Sequence, residues 1–420
     1  MKIERPRVVI VGAGFAGLNA ARALARSGAD VQITIVDRKN HHTFQPLLYQ
    51  VALAVLSPAE IASPVRAVFN RYRNVEVLLG EVVGFDLDKQ QVFLKDSETP
   101  LEYEYLVVAA GATHAYFGHD DWALYAPGLK TLEDALDIRR RVLTVFEQAE
   151  RKAVAEGKQE ELNFVVIGAG PTGVELAGAI ADIAHRYMRH DFRGIDPEKA
   201  RVILLEGGPR VLPAYTPALS ASAERQLREL GVEVRTNTLV TNVEQGKVYV
   251  GQEVVPAAVT LWAAGVAASP LGKKLGPTVK TDRAGRVHVG GDLALPDHRN
   301  VFVVGDLVTY PDKNGNPVPG VAPAAIQMGK FVGKAIQRDL ERDHRGTFHY
   351  LDKGSLATIG RTKAVGMLPG VEVSGFVAWF AWLAIHLFFL IGFRNRFFVL
   401  LDWLWAYLSF QKSARLITEK

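Results

Sequence analysis

The chain has 420 residues with 49 basic and 45 acidic side chains, and a balance this close argues against a protein built mainly to coat nucleic acid. It contains no cysteine, which excludes disulfides, thiolate metal sites and redox-active cysteine pairs. Glu4 and Pro6 stand where a signal peptide needs its apolar region, so we expect the catalytic part to face the cytoplasm.

A short β-branched run near the N-terminus leads into glycines. Gly12, Gly14 and Gly17 form a G-x-G-x-x-G pattern between this run and an Ala/Leu-rich helical stretch. Such a turn brings free backbone N–H groups and the positive end of a helix dipole to a pyrophosphate. Asp37 closes the next strand, where a carboxylate accepts hydrogen bonds from an adenosine ribose. The segment therefore predicts a dinucleotide-binding βαβ unit.

The same pattern recurs 156 residues later. Gly168, Gly170 and Gly173 follow a second apolar run, and Glu206 closes the next strand after an inserted polar segment. A carboxylate at this position binds a 2′-OH and repels a 2′-phosphate, which favours NADH over NADPH. Arg210 lies only four residues on and would weaken that preference.

Each copy ends in a buried run with a glycine exit, at Gly111 and at Gly265. A Val-Gly-Asp sequence then places Asp306 after a further strand. A helix is predicted from about Ala324 to Glu341, and a small sheet from Phe348 to Met367. The two copies together predict an α/β fold with two Rossmann-like dinucleotide-binding domains. Two dinucleotides in one chain suggest hydride transfer from nicotinamide to a flavin.

The composition becomes strongly apolar near Gly370. Val373–Phe393 is 21 residues without Asp, Glu, Lys or Arg, and Phe397–Phe410 carries one charge, Asp402. The first run is long enough to cross a bilayer core of ~30 Å, and the second is too short to return. The tryptophans of both runs and the arginines between them favour a membrane interface. We therefore expect helices that anchor residues 373–410 in a lipid bilayer, with one spanning helix or a buried dimer interface as alternatives.

These features resemble the flavoproteins with two dinucleotide-binding domains, and among them the type II NADH:quinone oxidoreductases. The resemblance is carried by Asn-His-His-Thr-Phe-Gln-Pro-Leu-Leu-Tyr-Gln-Val-Ala at 40–52, by 173–178, by 191–197 and by the apolar C-terminus. Members that need cysteine beside the flavin, such as disulfide reductases and sulfide:quinone reductases, do not fit this chain.

The resemblance implies noncovalent FAD on the first copy and NADH as the substrate of the second. It implies an FAD domain at 1–115 and 285–345, an NADH domain at 116–284, and a small sheet with monotopic anchoring helices at 346–420. The implied FAD residues are Gly12, Gly14, Gly17, Asp37, Gly111 and Asp306, and the implied NADH residues are Gly168, Gly170, Gly173, Glu206 and Gly265.

Two further residues are implied near the reacting groups. Glu175 is expected close to nicotinamide and flavin, where it relays protons; the alternative is a first-turn glutamate favoured by the helix dipole. The family often has two glutamines at the quinone site, but this chain has Pro323 in place of the first. Gln327 is retained and is expected to donate to a quinone carbonyl, unless it is simply an exposed helix residue.

The leading hypothesis is a prokaryotic enzyme on the cytoplasmic face of the cell membrane that passes electrons from NADH through FAD to a membrane quinone. This enzyme is expected to pump no protons and to bind neither a metal nor nucleic acid. A homodimer is possible. His41 and His42 lack accompanying metal ligands and are expected to be ordinary loop residues. The alternatives are a reductase for a soluble electron carrier and a flavin-bound signalling protein like the apoptosis-associated flavoproteins.

Overall fold

The structure is a computed structural model that describes residues 5–409 and 414–417, with 407–409 as backbone only. Phe410, the last residue of the predicted anchor, therefore lies outside the described residues. The α-helices within this part of the chain are α1 Phe15–Arg26, α2 Leu48–Ala52, α3 Pro58–Ile61, α4 Val65–Phe69, α5 Leu132–Glu156, α6 Pro171–Asp182, α7 Pro217–Glu229, α8 Ala322–Leu340, α9 Phe376–Phe389 and α10 Phe393–Ser409.

The strands are mostly short and fall into parallel and antiparallel groups. They are β1 Arg7–Val11, β2 Gln32–Asp37, β3 His41–Thr43, β4 Ala62–Pro64, β5 Val75–Leu79, β6 Val82–Asp86, β7 Gln91–Leu94, β8 Leu101–Glu102, β9 Tyr105–Val108, β10 Ala112–His114, β11 Asn163–Ile167, β12 Arg201–Leu205, β13 Val232–Arg235, β14 Asn242–Glu244, β15 Lys247–Val250, β16 Glu253–Pro256, β17 Val259–Trp262, β18 Val266–Ala268, β19 Val287–His288, β20 Val301–Val303, β21 Val308–Thr309, β22 Ser355–Gly360, β23 Lys363–Leu368 and β24 Val371–Ser374.

The chain divides into two compact units. Unit 1 contains the residues up to His42, Ser63–Thr113 and Val266–Lys353, and unit 2 contains Thr43–Ala62, His114–Gly265 and the residues from Gly354 onward. Residues 43–62 and the C-terminal segment thus group with the second glycine motif, although the sequence places 43–62 in the first domain and gives the C-terminus its own. The reason is packing, because α2 contacts α5 and α6, and β22 contacts α6. Which unit holds which nucleotide stays a prediction.

Unit 1 is built on a five-stranded parallel sheet of order β20-β9-β1-β2-β5. The apolar run Val8–Val11 is buried in the central strand, as a strand covered on both faces requires. The chain leaves β1 toward β2 on one side and later adds β9 on the other side. This reversal puts the first glycine turn at a topological switch point, where open α/β sheets bind ligands.

Helices α1 and α8 of unit 1 pack with their backbones unusually close. A Cβ at Gly329 would lie 2.1 Å from the carbonyl oxygen of Ala16, and one at Gly333 would lie 2.7 Å from that of Ala20. Only glycine fits at two successive turns of α8, so this small-residue stripe fixes α8 on the helix that follows the first glycine turn. The helix predicted from about 324 to 341 is observed at Ala322–Leu340.

Unit 2 repeats this plan with a four-stranded parallel sheet of order β13-β12-β11-β17. Two antiparallel sheets, β14-β15-β16 and β22-β23-β24, complete the unit. Helix α6 follows the second glycine turn and crosses β22 at Gly178, where a Cβ would lie 1.6 Å from the carbonyl oxygen of Ile359. The small sheet is therefore locked onto the helix that carries Glu175.

The C-terminal apolar run differs from the predicted single stretch of 21 residues. Its start belongs to β24, and Gly375, with φ 66°, separates this strand from α9. Helix α9 then has 14 residues, about 21 Å in length. Within the described part of the chain, no helix combines the length and apolar character needed to cross a membrane.

Helix α10 has two distinct faces. Asn395, Val399, Trp403 and Ala406 are buried in unit 2. The apolar side chains on its other side are exposed, and they are Phe393, Phe397, Phe398, Leu400, Leu401, Leu404 and Trp405. The buried residues are three or four positions apart, which is the pattern of a helix that covers a core on one side only.

The one acid of the second apolar run also has a partner in unit 2. Asp402 forms a side-chain hydrogen bond with Glu60 of α3. Burial and this bond raise the pKa of Glu60 to about 7, although the backbone N–H of Ser57 and the charge of Arg139 oppose the rise. Glu60 therefore keeps a proton that it can donate to Asp402, which explains how an acid is accommodated in the apolar stretch of α10.

Candidate functional site

The first glycine turn has the geometry of a phosphate-binding turn. Gly12 has φ 100°, and a Cβ there would lie 2.5 Å from the carbonyl oxygen of Ala109. A Cβ at Gly17 would lie 1.9 Å from the carbonyl oxygen of Gly12, whereas Gly14 faces open space. Only glycine is tolerated at 12 and 17, and the space at 14 leaves room for a ligand against the N-terminus of α1.

Asp37 and Asp306 both lie near this turn in unit 1. The Oδ2 of Asp37 accepts from the backbone N–H of Ala13 at 2.6 Å, and Oδ1 accepts from Lys39 at 2.8 Å. Asp306 lies in the turn after β20. The preceding residue, Gly305, has φ 76°, and a Cβ added there would lie 3.3 Å from the Cβ of Ala16. Gly111, with φ 66°, follows β9 beside the same strand ends. The predicted residues of the first copy thus gather at one edge of one sheet.

The second glycine turn reproduces this geometry in unit 2. Gly168 has φ 96°, and an added Cβ would lie 2.5 Å from the Cα of Ala264. At Gly173 the added Cβ would lie 1.8 Å from the carbonyl oxygen of Gly168, while Gly170 again faces open space. Gly265 follows directly in the exit after β17, where Phe117 packs against it.

The acid after the second turn is held in the same way as the first. Glu206 accepts from the backbone N–H of Ala169 at 2.7 Å and from that of Gly208 at 2.7 Å. Both carboxylates are therefore fixed by the turn that each one serves. The Arg210 guanidinium donates to the carbonyl oxygen of Pro213 at 2.9 Å. Because this bond holds Arg210 against its own loop, its positive charge is less available to attract a 2′-phosphate than the sequence suggests.

Glu175, on the first turns of α6, lines a cleft within unit 2. We call it the Glu175 cleft, and its other lining residues include Tyr49, Gln50, Tyr187, Thr358, Trp379, Trp382 and Trp403. Burial raises the pKa of Glu175 to about 8, and a backbone hydrogen bond from Thr358 only partly opposes this rise. At neutral pH the carboxyl is mostly protonated and is available as a proton donor.

The polar wall of the Glu175 cleft is a short chain of hydrogen bonds. The Nε1 of Trp403 donates to the Oε1 of Gln50 at 2.8 Å, and the Nε2 of Gln50 donates to the Tyr49 hydroxyl at 2.8 Å. The cavity measures about 60 Å³, which is room for about two water molecules. Tyr187 belongs to the π-helical turn Ile183–Tyr187 after α6, a kind of irregularity frequent at functional sites.

Gln327 lies in unit 1, on α8, and its amide is already paired. Its Nε2 donates to the carbonyl oxygen of Leu351 at 2.9 Å, and its Oε1 accepts from the N–H of Leu351 at 3.0 Å. Pro323 occupies the second position of α8, where no helical N–H bond is needed. The predicted donation from Gln327 to a quinone stays a prediction, and it requires the Leu351 bonds to open.

Of the two adjacent histidines, His42 is part of the packed interior of unit 1. His42 is buried, its Nδ1 lies 2.9 Å from the carbonyl oxygen of Ala13, and burial lowers its pKa to about 4. Its ring meets that of Phe15 edge to face at 5.0 Å. The described residues include no group of three or more acidic, histidine or cysteine side chains placed to hold a metal ion.

The chain resembles known proteins over nearly its whole length. Residues 6–329 match the pyridine nucleotide-disulphide oxidoreductase family, and residues 353–410 match the NDH2 C-terminal domain. A type II NADH:quinone oxidoreductase of Mycobacterium tuberculosis, Ndh, is 46 % identical over 431 aligned residues, which cover 99 % of this chain and 91 % of the relative. The chain belongs to the type II NADH:quinone oxidoreductases. The family predicted from the sequence is thereby confirmed.

A more distant member of the type II family and two solved structures also match most of this chain. The type II NADH:quinone oxidoreductase of Staphylococcus haemolyticus is 29 % identical, covering 89 % of this chain and 92 % of its own length. The structure of NDH2 from Plasmodium falciparum in complex with NADH superimposes with a TM-score of 0.87 at 20 % identity, covering 99 % and 100 % of the two chains. A sulfide:quinone oxidoreductase of Aquifex aeolicus reaches 0.73 at 19 % identity over 93 % and 92 %. The α/β fold of this type II oxidoreductase is thus confirmed.

Sequence reasoning missed several residues of the Glu175 cleft in this type II oxidoreductase. Gln50 and Trp403 bond across 353 positions of sequence, and no local pattern indicates such a pair. Tyr49 and Gln50 lay inside the segment 40–52 that carried the family resemblance. The four tryptophans at the C-terminus were assigned to the membrane, yet Trp379, Trp382 and Trp403 are buried.

Proposed function

We propose that this chain oxidises NADH and reduces a membrane quinone with noncovalent FAD. It does so on the cytoplasmic face of a bacterial membrane, bound to one leaflet by α9 and α10. The observation that carries the proposal is the Glu175 cleft, because quinone reduction consumes protons and the cleft holds a carboxyl that is protonated at neutral pH. The net reaction is NADH + H⁺ + quinone → NAD⁺ + quinol.

The residues of unit 1 fit FAD, and those of unit 2 fit NADH. The space at Gly14, the N–H groups at the start of α1 and the fixed carboxylate of Asp37 suit an adenosine diphosphate, and Asp306 suits the neighbouring ribityl portion. In unit 2, Gly170 and Glu206 offer the same features. When bound, FAD accepts a hydride from NADH and lets two electrons leave for the quinone.

Proton supply is the role of the chain itself. Glu175 holds its proton inside the cleft and gives it to a quinone oxygen during reduction, and water reprotonates it. No pumping is proposed, since Val373–Phe393 contains no ionisable side chain except His386. A pump needs ionisable relays inside the membrane.

Membrane binding is proposed for the exposed face of α9 and α10. Phe376, Val377, Phe380 and Phe388 on α9 are each at least 60 % exposed, and α10 adds the exposed residues named above. A contiguous apolar surface of this kind is typical of a helix pair that lies in a leaflet. Arg394 and Arg396 at the start of α10 suit anionic head groups. A homodimer that covers the same face is the competing occupant.

The membrane surface can be tested by charge insertion. The double variant Phe380→Asp, Leu404→Asp should no longer sediment with vesicles of anionic phospholipid, because each carboxylate is unfavourable in hydrocarbon. Val154→Asp, at an exposed apolar position on α5, is the matched control and should stay bound. Vesicle binding by the double variant, or a dimer that dissociates instead, would contradict the proposal.

The nucleotide preference is tested at Glu206. Glu206→Ala should reduce the preference for NADH over NADPH by about 10-fold, or about 1.4 kcal/mol, because the carboxylate no longer repels a 2′-phosphate. The measurement is kcat/KM for both nucleotides with ferricyanide as acceptor. Glu244→Ala, which removes a carboxylate elsewhere in unit 2, should leave the ratio unchanged. A wild-type protein that prefers NADPH would refute the assignment.

The function itself is tested with purified protein in sealed vesicles that contain a long-tailed quinone. NADH should be consumed at a rate that depends on the quinone, FAD should be released unmodified on denaturation, and an enclosed pH dye should report no proton translocation. Reduction of ferricyanide but of no quinone would refute the proposal. It would favour a reductase of a soluble carrier or a signalling flavoprotein.

A further inference from the structure

Trp382, on α9, has an unused hydrogen-bond donor in the Glu175 cleft. Its side chain lines the cleft and is only 1 % exposed. Among the described residues, no acceptor lies within bonding distance of its Nε1. Buried donors are nearly always paired, so an unpaired one points to a missing partner.

The indole of Trp382 is also held in place. It stacks on His386 with ring centroids 4.2 Å apart, and it lies 5.8 Å from Trp403 and 6.3 Å from Tyr49. Trp403 is a useful contrast, because its N–H is bonded to Gln50. Of the three tryptophans that line the cleft, Trp403 thus has a protein acceptor for its indole N–H, whereas Trp382 has none within bonding distance in the part of the chain that the structure describes.

We propose that the indole N–H of Trp382 binds a carbonyl oxygen of the quinone in the Glu175 cleft. The inference rests on the proposed quinone reduction and names a residue for it. An indole donates and never accepts, and a quinone carbonyl accepts and never donates. The aromatic side chains of the cleft suit the flat ring of the quinone.

The two glutamines considered for this donor role already have protein partners. Both polar ends of the Gln327 amide bond to Leu351, and Pro323 has no side-chain donor. Gln50 is bonded to Tyr49 and Trp403. Trp382 thus supplies a fixed hydrogen bond to the quinone, whereas the proton that is transferred comes from Glu175. The indole keeps its own proton throughout.

The test is Trp382→Phe in the full-length FAD-loaded protein. Phenylalanine keeps an aromatic ring and removes the N–H. The dissociation constant for menadione, measured by equilibrium titration without NADH, should rise about 2- to 12-fold, and the KM for menadione should rise with it. Because the lost donor had no protein partner, the thermal midpoint should fall only by the packing that is lost when the indole becomes a phenyl ring.

Trp122→Phe is the matched control. The Nε1 of Trp122 donates to the Oδ1 of Asn242 at 3.2 Å, and the side chain is buried away from the cleft. This variant loses the same ring volume and a hydrogen bond as well, so it should lower the thermal midpoint further than Trp382→Phe does, and it should leave menadione binding unchanged. Turnover with ferricyanide and with hexaammineruthenium(III), acceptors without carbonyl groups, should be unchanged in Trp382→Phe.

Three outcomes would overturn the inference. They are unchanged menadione affinity in Trp382→Phe, a thermal midpoint lowered further than that of Trp122→Phe, and equal losses with menadione and ferricyanide. Failure of the proposed function would look different, because the wild-type protein would then reduce ferricyanide but neither bind nor reduce menadione.

Discussion

Replacing Glu175 with glutamine should lower quinone-dependent turnover on the order of 10²- to 10³-fold. Glutamine keeps the size and the hydrogen-bonding capacity of the side chain but has no proton to transfer. The wild-type rate should fall as the pH rises through about 8, the pKa to which burial raises Glu175, because the donor form is lost. In Glu175→Gln this limb of the pH profile should be absent.

The same substitution should make the protein more stable. The pKa of Glu175 rises from 4.5 in the unfolded chain to about 8 in the folded one, so the folded state holds a proton that the unfolded state releases. Its contribution to stability is complete below pH 4.5 and is lost as the pH rises to about 8. At pH 8 glutamine should therefore restore about 2–4 kcal/mol. Denaturant unfolding measures this, and lower activity with higher stability excludes a damaged fold.

A matched carboxylate separates the role of Glu175 from a general effect of charge. Glu224 lies in the same unit, on α7, and pairs with Arg228 on the surface. Glu224→Gln should leave the pH profile unchanged and should shift stability by less than about 1 kcal/mol. If Glu175→Gln keeps normal quinone turnover, Glu175 is only a buried first-turn glutamate.

Gly178→Ala should destabilise unit 2 by about 3 kcal/mol or more. The new Cβ would lie 1.6 Å from the backbone carbonyl oxygen of Ile359, and because the position of Cβ is fixed by its own backbone, neither atom can rotate away. Helix α6 and strand β22 would have to separate. The hydrogen bond between Thr358 and Glu175 would then be strained, so quinone turnover should fall together with the thermal midpoint.

Gly84→Ala is the control for this substitution. An added Cβ at Gly84 would meet the Phe93 ring at 3.8 Å, an ordinary van der Waals distance, so the thermal midpoint should change little. A normal midpoint for Gly178→Ala would show that the contact between α6 and β22 relaxes at little cost.

The parts of the fold that follow local rules were predictable from the sequence. Strand, glycine turn, helix and closing acid appear in fixed order in both copies, and in both the acid accepts from the alanine after the first glycine. Backbone geometry dictates these positions, so residue types alone reveal them. The roles of these residues toward FAD and NADH remain predictions.

The C-terminal segment was harder to predict because apolar runs do not distinguish a strand from a helix. Val373 was counted in a 21-residue run, yet it lies in β24 and pairs with Gly366. Gly370 and Gly375 were the available signals for breaks on either side of this strand. The Glu175 cleft could not be predicted in detail, since tertiary packing brings Gln50, Thr358 and Trp382 together from distant positions.

The hydrogen bond between the protonated carboxyl of Glu60 and Asp402 makes the attachment of α10 sensitive to pH. The pKa of Glu60 is raised from 4.5 to about 7, so this part of the stabilisation is complete below pH 4.5 and fades as the pH approaches 7. On the alkaline side, two adjacent carboxylates repel each other beneath the helix. Alkaline conditions would therefore loosen the hold of the helix on its own protein, whereas its arginines keep their charge and their attraction to anionic lipid.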